Sequence, residues 1–377
     1  MNTGLLSLKL HKKLAGKISI APKIKIRNSK DLSLVYTPGV AEVSRYLTAK
    51  PEETDKYTFK KNSVAVISDG SAVLGLGNIG PEAALPVMEG KCLLFKHFAD
   101  IDAVPIVLST QDPDEIISIV KAISPTFGGI NLEDICAPKC FYIEDTLKKQ
   151  LDIPVVHDDQ WGAAIALSAG LINSLKLAEK SFSDVRIVVS GAGAAGTAII
   201  RILLKQGAKN IIVCDRKGII GKTRKDLNPC KQELANITNP DNKSGDLACA
   251  MNKSDVFIGV SSAGLVTPEM IKSMNRKAIV FAMANPVPEI MPDQAKSAGA
   301  YIVGTGRSDY PNQINNSLAF PGVFRGALDN KVKNITISML IAAAEKLAAL
   351  VKKPKPEKII PSVFDKNVVK AVSSAIR

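Results

Sequence analysis

A glycine-rich turn limits the fold of this 377-residue chain more than any other sequence feature. The sequence GAGAAG at 191–196 follows the apolar segment VRIVVS and precedes the helical segment TAIIRILLKQG. In a dinucleotide-binding strand–turn–helix unit, glycines permit the tight turn, the approach of backbone N–H groups to a pyrophosphate, and close helix packing. The helix N-terminus stabilises the phosphate charge. We therefore predict a dinucleotide site formed by Gly191, Ala192, Gly193, Ala194, Ala195 and Gly196.

The identity of the dinucleotide depends on Asp215, which ends the next predicted strand, NIIVCD. A carboxylate about 20 residues beyond the turn accepts hydrogen bonds from a ribose 2′-OH and repels a 2′-phosphate, which favours NAD. Arg216 and Lys217 follow directly and can accommodate a phosphate, so NADP stays open. A second glycine-rich match, GLGNIG at 75–80, lies several residues beyond its strand and precedes Pro81. We predict that it is a structural loop near a site, in preference to a second dinucleotide cradle.

Short β-branched segments alternate with helical segments along the whole chain, which is typical of α/β architecture with mainly parallel sheets. The predicted strands cover 64–69, 92–98, 104–109, 153–158, 185–190, 210–215, 255–261, 277–286 and 301–306. The length and the 46% hydrophobic content favour two domains. We predict an N-terminal α/β catalytic domain at 1–160. A C-terminal Rossmann-type dinucleotide-binding domain is predicted at 161–377, with its last helices, including 335–351, packed back on the body.

Composition argues against several other classes of protein. The formal net charge is +13, and a basic surface attracts phosphates, but the lysines are scattered and aromatic residues make up only 5%. We therefore expect no nucleic-acid partner. The lysine-rich N-terminus has no signal-peptide pattern, and we expect no apolar run near the ~20 residues that span a bilayer. Six cysteines without zinc-type spacing indicate reduced thiols and a cytoplasmic location.

Two acidic pairs follow predicted strands: Glu133 and Asp134 in GGINLEDI, and Asp158 and Asp159 in IPVVHDD. In parallel sheets the carboxyl ends of the strands face the ligand crevice. Four carboxylates in one crevice need a cation or protons to be tolerated. Oxygen ligands suit Mg²⁺ or Mn²⁺ better than zinc. On pattern alone, solvated surface pairs or helix caps remain an alternative to a metal site.

Seven blocks together resemble the malic enzyme family, in particular its short bacterial and archaeal-type members. They run in family order, cover nearly all of 30–330, and are specific only jointly. The blocks are YTPGVAEVSR (36–45), SDGSAVLGLGNIGPEAALPVMEGKCLLFKHFADIDAVPI (68–106), NLEDICAPKCF (131–141), IPVVHDDQWGAAIA (153–166), SGAGAAG (190–196), FAMANPVPEI (281–290) and NNSLAFPGVFRGAL (315–328). The resemblance implies NAD(P)-dependent oxidation of malate through oxaloacetate to pyruvate and CO₂, a divalent metal ion, and a homodimer.

The resemblance also implies roles for individual residues. It makes Tyr36 of YTPGV the general acid, supplied across the interface of the implied homodimer, and Lys91 of EGKCLLF the general base that also contacts substrate. The other positions carried over are the metal ligands Glu133, Asp134 and Asp159, the carboxylate Asp158 beside the lysine, and the substrate-holding amides Asn285 and Asn316.

Two positions depart from the family pattern, and two alternative functions stay open. The family's short members commonly read HDDQHGTA, whereas this chain has Trp161 and Ala163 in place of that His and Thr. The metal-binding aspartate is retained, so the departures put local helix packing in doubt, not the chemistry. The alternatives are a malolactic-type or oxaloacetate-decarboxylating enzyme on the same site, and a non-catalytic dinucleotide-binding regulatory protein. The retained candidate catalytic residues argue against the second.

Overall fold

The computed structural model describes residues 3–73 and 75–377 and contains two sheets, each within an α/β unit. The first sheet has the order β2-β1-β3-β4 and is parallel throughout. Its strands are β1 (Ser63–Ser68), β2 (Asp102–Val107), β3 (Gly129–Leu132) and β4 (Val155–His157). The predicted α/β class with mainly parallel sheets is confirmed.

The second sheet has the order β10-β9-β8-β5-β6-β7, and only the short edge strand β7 is antiparallel to its neighbour. Its strands are β5 (Arg186–Ser190), β6 (Asn210–Asp215), β7 (Gly218–Ile219), β8 (Val256–Gly259), β9 (Ile279–Ala282) and β10 (Ile302–Thr305). The chain continues from β5 to β6 on one side of the sheet and then crosses to β8 on the other side of β5. The strand order therefore reverses between β5 and β8, and parallel α/β sheets bind ligands at such a point.

Sixteen α-helices lie around and between the sheets in the described part of the chain. They are α1 (Thr3–Leu14), α2 (Ser29–Val35), α3 (Val40–Ala49), α4 (Thr54–Tyr57), α5 (Pro81–Ala99), α6 (Pro113–Ile123), α7 (Lys139–Gln150), α8 (Asp158–Ala178), α9 (Ala194–Lys205), α10 (Pro229–Ile237), α11 (Leu247–Met251), α12 (Pro268–Lys272), α13 (Pro292–Ser297), α14 (Phe320–Asp329), α15 (Ile337–Ala349) and α16 (Val368–Ser373).

One predicted strand is wrong. The segment 92–98 lies inside α5, because its buried residues recur at helical spacing and cover one face: Met88, Cys92, Phe95 and Ala99. The segment contains no β-branched residue, so it lacks the preference for a pleated backbone that its apolar character suggested.

Helix α8 lies in the centre of the molecule, where it packs against α9 and α15. It is 21 residues long and, by length and composition alone, is apolar enough to cross a membrane. This corrects the expectation that no apolar run approaches that length. Most of the helix is buried inside the protein, as in the core helix of a globular fold, and the amide of Asn173 donates to the backbone oxygens of Ala348 and Ile359.

The last three helices pack back on the body of the molecule. Phe320 and Phe324 of α14 meet the ring of Phe95 on α5 edge-on, with centroids 4.7 and 5.4 Å apart. Helix α16 packs on α14, and α15 packs on α8. One hydrophobic core therefore runs from the first sheet through α8 to the second sheet, and the relative position of the two sheets is determined by packing.

Candidate active site

The carboxyl ends of both sheets open on one cleft of about 1240 Å³. From the first sheet, Glu133 and Asp134 follow β3 directly, and Asp158 and Asp159 form the first turn of α8 directly after β4. Because β3 and β4 are neighbouring parallel strands, the two acidic pairs arrive side by side. Lys91 enters the cleft from α5.

Three of these carboxylates form a compact cluster. One oxygen from each of Glu133, Asp134 and Asp159 lies within 4.8 Å of the others, which is a spacing suited to ligation of one ion. The backbone N–H of Asp134 donates to Asp159 Oδ2 at 2.7 Å, and Asp134 adopts a left-handed backbone conformation with φ of 54°. Such a conformation is uncommon outside glycine and often occurs at functional sites.

Lys91 is buried among these carboxylates. Its Nζ lies 2.5 Å from Asp158 Oδ2 and 2.7 Å from Glu133 Oε1, and 4.1 Å from the centroid of the Phe320 ring. Burial opposes the charge of the ammonium, but Asp158, Glu133 and Asp159 outweigh that effect and raise the pKa of Lys91 above its usual value. Lys91 is therefore a cation in this arrangement of carboxylates.

The carboxylates carry more negative charge than Lys91 can balance. Burial raises the pKa of Glu133 well above its usual value; Lys91 opposes this, while Asp159 and Asp158 add to it. Burial likewise raises the pKa of Asp158, against the effect of Lys91. Asn131 was not singled out by the sequence, yet its amide donates to Glu133 Oε2 at 2.9 Å. A divalent cation between these oxygens would supply the missing positive charge, so the donor set fits Mg²⁺ or Mn²⁺.

The two predicted amides also reach the cleft. Asn316, at the start of the short 3₁₀ helix Asn316–Leu318, donates from Nδ2 to Asp158 Oδ2 at 2.6 Å. Asn285 lines the cleft from the loop after β9. The GLGNIG segment packs against that loop: a Cβ at Gly75 would lie 2.1 Å from the backbone oxygen of Asn285. This segment is a loop beside the site, as predicted.

The glycine-rich turn connects β5 to α9. Gly191 has φ of +118°, and its N–H donates to Cys214 O at 2.9 Å. A Cβ at Gly196 would lie 1.9 Å from Gly191 O, whereas a Cβ at Gly193 would meet open space. Gly193 therefore leaves the N-terminus of α9 accessible to a phosphate. The turn borders a second cleft of about 1070 Å³ that shares Ala137, Gly193 and Ser261 with the first.

Asp215 lies in this second cleft within a network of cations. It accepts hydrogen bonds from two Arg224 nitrogens at 2.7 and 3.2 Å, from Lys231 Nζ at 2.6 Å and from the N–H of Lys217 at 2.9 Å. Burial would raise the pKa of Asp215, but Arg224 and Lys231 lower it to about 2. Arg224 and Lys231 were not predicted as partners of Asp215, because they lie 9 and 16 residues further along the polar segment and no local pattern connects them to it.

Tyr36 is the one predicted site residue that stands apart. It follows α2, is 66% exposed, and does not line the cleft in the part of the chain described. The surrounding helices α1 to α4 contain no buried residue. Within a single copy of the chain, the structure brings Lys91, both acidic pairs and both amides together, but not Tyr36.

This chain is similar to known proteins over nearly its whole length, both in sequence and in structure. A family model for the N-terminal domain of malic enzymes matches residues 15–148, and a model for the NAD-binding domain of malic enzymes matches residues 160–376. The chain is 55% identical over 373 residues to the bifunctional malic/malolactic enzyme of Bacillus subtilis, covering 98% of this chain and 91% of that protein. It is 53% identical over 365 residues to the NAD-dependent malic enzyme of Geobacillus stearothermophilus, covering 96% and 76%. A crystal structure of the NAD-dependent malic enzyme of Thermotoga maritima superposes with a TM-score of 0.95 at 53% identity, covering 98% of each chain.

Proposed function

The chain belongs to the malic enzyme family, and on that basis we propose that it oxidises malate with NAD(P) and decarboxylates the product to pyruvate and CO₂. The observation that carries the proposal is the convergence of Lys91, the carboxylate cluster and two amides on a cleft that continues to the dinucleotide turn. A small dicarboxylate in the first cleft would lie between Lys91 and that turn. We call this first cleft the malate cleft.

A divalent ion is part of the proposal. Glu133, Asp134 and Asp159 would hold it, since their oxygens are close enough to share one ion and are hard donors. When bound, such an ion polarises an oxygen of the substrate, and the nicotinamide accepts a hydride. Mn²⁺ and Mg²⁺ both suit this donor set.

The protein's own residues would move the protons. Lys91 Nζ would first pass its proton to Asp158 Oδ2, which lies 2.5 Å away. The neutral amine would then accept the proton of the malate C2 hydroxyl, with Asp158 orienting it. Oxidation at C2 gives oxaloacetate, a β-keto acid, whose C4 carboxylate leaves as CO₂. Tyr36 then donates a proton to C3 of the resulting enolate to form pyruvate. Asn285 and Asn316 hold the substrate carboxylates by hydrogen bonds without adding charge.

Tyr36 can act there only if a second copy of the chain supplies it, and we propose a homodimer. Residues 3–57 expose many large apolar side chains, among them Leu8, Ile20, Leu34 and Tyr36 itself, and α1 to α4 bury none of their residues in the single copy. An apolar surface of this kind is typical of an interface between subunits. Tyr36 would then enter the malate cleft of the partner.

The preferred dinucleotide is proposed to be NAD, with NADP used less efficiently. Asp215 is ionised at neutral pH, since its pKa is about 2, and a carboxylate at this position repels a 2′-phosphate. Arg224 and Lys231 offset part of that repulsion. We also propose a cytoplasmic location, because all six cysteines are free, as in proteins of reducing compartments.

A malolactic activity is the second candidate. It is favoured by the 55% identity to a relative whose name includes both activities. The same site would supply it if the reduced dinucleotide stayed bound and returned its hydride to C2 of pyruvate, giving lactate with no net change in cofactor.

The test is an assay of the purified protein with L-malate and Mn²⁺, supplied with NAD or with NADP. The proposed function predicts a rise in absorbance at 340 nm together with equimolar pyruvate. Lactate formed without accumulation of reduced cofactor would instead indicate the malolactic activity. Dinucleotide binding without turnover, at several pH values and with either cofactor, would refute both and favour a regulatory protein.

A further inference from the structure

One buried carboxylate plays no part in the proposed chemistry. Glu144, on α7, is 2% exposed. It accepts hydrogen bonds from the N–H of His157 at 3.1 Å, the indole N–H of Trp161 at 2.8 Å and the amide of Gln160 at 2.8 Å. Lys148, one turn along α7, lies 2.7 Å from the same carboxylate and balances its charge.

The three hydrogen-bond donors all belong to the segment His157–Trp161, which carries the second acidic pair. His157 precedes the pair, and Gln160 and Trp161 follow it. Between them, Asp158 turns to Lys91 and Asn316, and Asp159 turns to Glu133 and Asp134. Glu144 therefore accepts hydrogen bonds from residues before and after the acidic pair, on the face of the turn away from the malate cleft.

The first turn of α8 needs such support. Its N-cap, His157, forms no capping hydrogen bond with its side chain, and the backbone N–H of His157 donates to Glu144. The carboxylates of the malate cleft repel one another and would move apart on a loose turn. A carboxylate that accepts from three points of the turn restricts that movement, as the groups behind metal ligands commonly do.

We propose that Glu144 is the positioning residue of the metal site: through His157, Gln160 and Trp161 it sets the geometry of Asp158 and Asp159. The inference rests on the proposed metal-dependent function. It also gives Trp161 a role, since the indole N–H that distinguishes this chain from the HDDQH pattern is one of the donors to Glu144.

The test is the variant Glu144→Gln, which keeps the shape but loses the charge. All partners of Glu144 are donors, so the NH₂ group of a glutamine must face at least one of them. The matched control is Asp255→Asn. Asp255 is also buried, at 9% exposure, and accepts from Lys180 Nζ, the N–H of Arg186 and the amide of Asn275 at 2.7, 2.9 and 3.0 Å. It precedes β8 at the end of the sheet away from the cleft.

Three quantities are measured on the full-length protein without turnover: Mn²⁺ affinity from the electron paramagnetic resonance signal of free Mn²⁺, NADH affinity from fluorescence, and the thermal unfolding midpoint. We expect Glu144→Gln to weaken Mn²⁺ binding by about 10- to 100-fold and to leave NADH binding unchanged. Asp255→Asn should lower the unfolding midpoint but leave Mn²⁺ affinity unchanged. In the steady state, Glu144→Gln should raise the KM for malate.

Other outcomes overturn the inference. Unchanged Mn²⁺ affinity in Glu144→Gln, or an equal loss in Asp255→Asn, would mean that Glu144 serves only folding stability. A wild-type protein that binds no Mn²⁺ would instead remove the metal site from the proposed function, and this inference with it.

A second pair of variants covers the case in which Glu144→Gln does not fold. Trp161→Phe and Trp161→His both replace the indole by a single aromatic ring, but only the histidine ring retains an N–H donor. Weaker Mn²⁺ binding in the Phe variant than in the His variant supports the inference, and equal binding in both overturns it.

Discussion

The role of Asp215 in cofactor choice leads to a quantitative prediction for the variant Asp215→Asn. The substitution keeps the size of the side chain and one acceptor oxygen, but it removes one negative charge from the network. That network has three cations, Lys217, Arg224 and Lys231, against two carboxylates, Asp215 and Asp226. Its net charge therefore rises from +1 to +2.

Two effects change cofactor preference in the same direction. A unit charge near a protein surface interacts with a 2′-phosphate by about 1 to 4 kcal/mol, and a hydrogen bond from the ribose to a charged acceptor contributes about 1.5 to 3 kcal/mol. Four donors already occupy the Asp215 oxygens, so values near the lower end apply. Together, about 3 kcal/mol corresponds to an increase of about 150-fold in the preference for NADP over NAD.

The assay measures kcat/KM for NAD and for NADP at saturating malate and Mn²⁺, from initial rates at 340 nm. The control is Asp226→Asn, which removes the same charge from the partner of Arg224 and Lys217 at a more exposed position. We expect a much smaller change in that control. The reasoning fails if the wild type prefers NADP, if Asp215→Asn changes the ratio by less than about threefold, or if both variants change it equally.

Three further predictions concern the malate cleft. Lys91→Met should lower kcat for malate by about 10²- to 10⁴-fold with NADH affinity unchanged, and near-normal turnover would exclude it as the base. Tyr36→Phe should be similarly inactive. When equal amounts of Tyr36→Phe and Lys91→Met are unfolded and refolded together, half of the random dimers are mixed and each mixed dimer contains one intact site, so about a quarter of wild-type activity should return. No recovery would refute a Tyr36 supplied by the partner. Removal of metal with EDTA should abolish malate oxidation but leave NADH binding intact. Mn²⁺ at about 100 times its Kd should stabilise the folded state by about 2.7 kcal/mol, which a thermal unfolding scan can detect.

Local features of the fold were predictable because their physical requirements lie within a few residues. The turn at 191–196 needs glycines where the backbone bends and where the helix approaches the strand, and both conditions appear in the sequence. Strand β6 was predicted to its last residue, Asp215, from its β-branched run. The prediction of a strand at 92–98 was wrong because a short apolar run has no clear periodicity by itself. Only the packing of this segment on α14 shows which of its faces is buried.

The site depends on contacts between distant parts of the chain. The acidic pairs were placed correctly at strand ends, but they form one cluster only because β3 and β4 are neighbours in the sheet. Lys91 and Asn316 meet Asp158 across 67 and 158 residues of sequence. Without the family resemblance, nothing in the sequence connects them.

The sequence alone determined the class of fold, the dinucleotide turn and the acidic character of the site, since these follow from local backbone geometry and from the residues at strand ends. Only the tertiary structure decided how charges are balanced: Lys91 between Asp158 and Glu133, Arg224 and Lys231 on Asp215, and Glu144 behind the metal-site turn. The physical reason is that a buried carboxylate must find its partner in space, and that partner's position depends on how the sheets and helices pack.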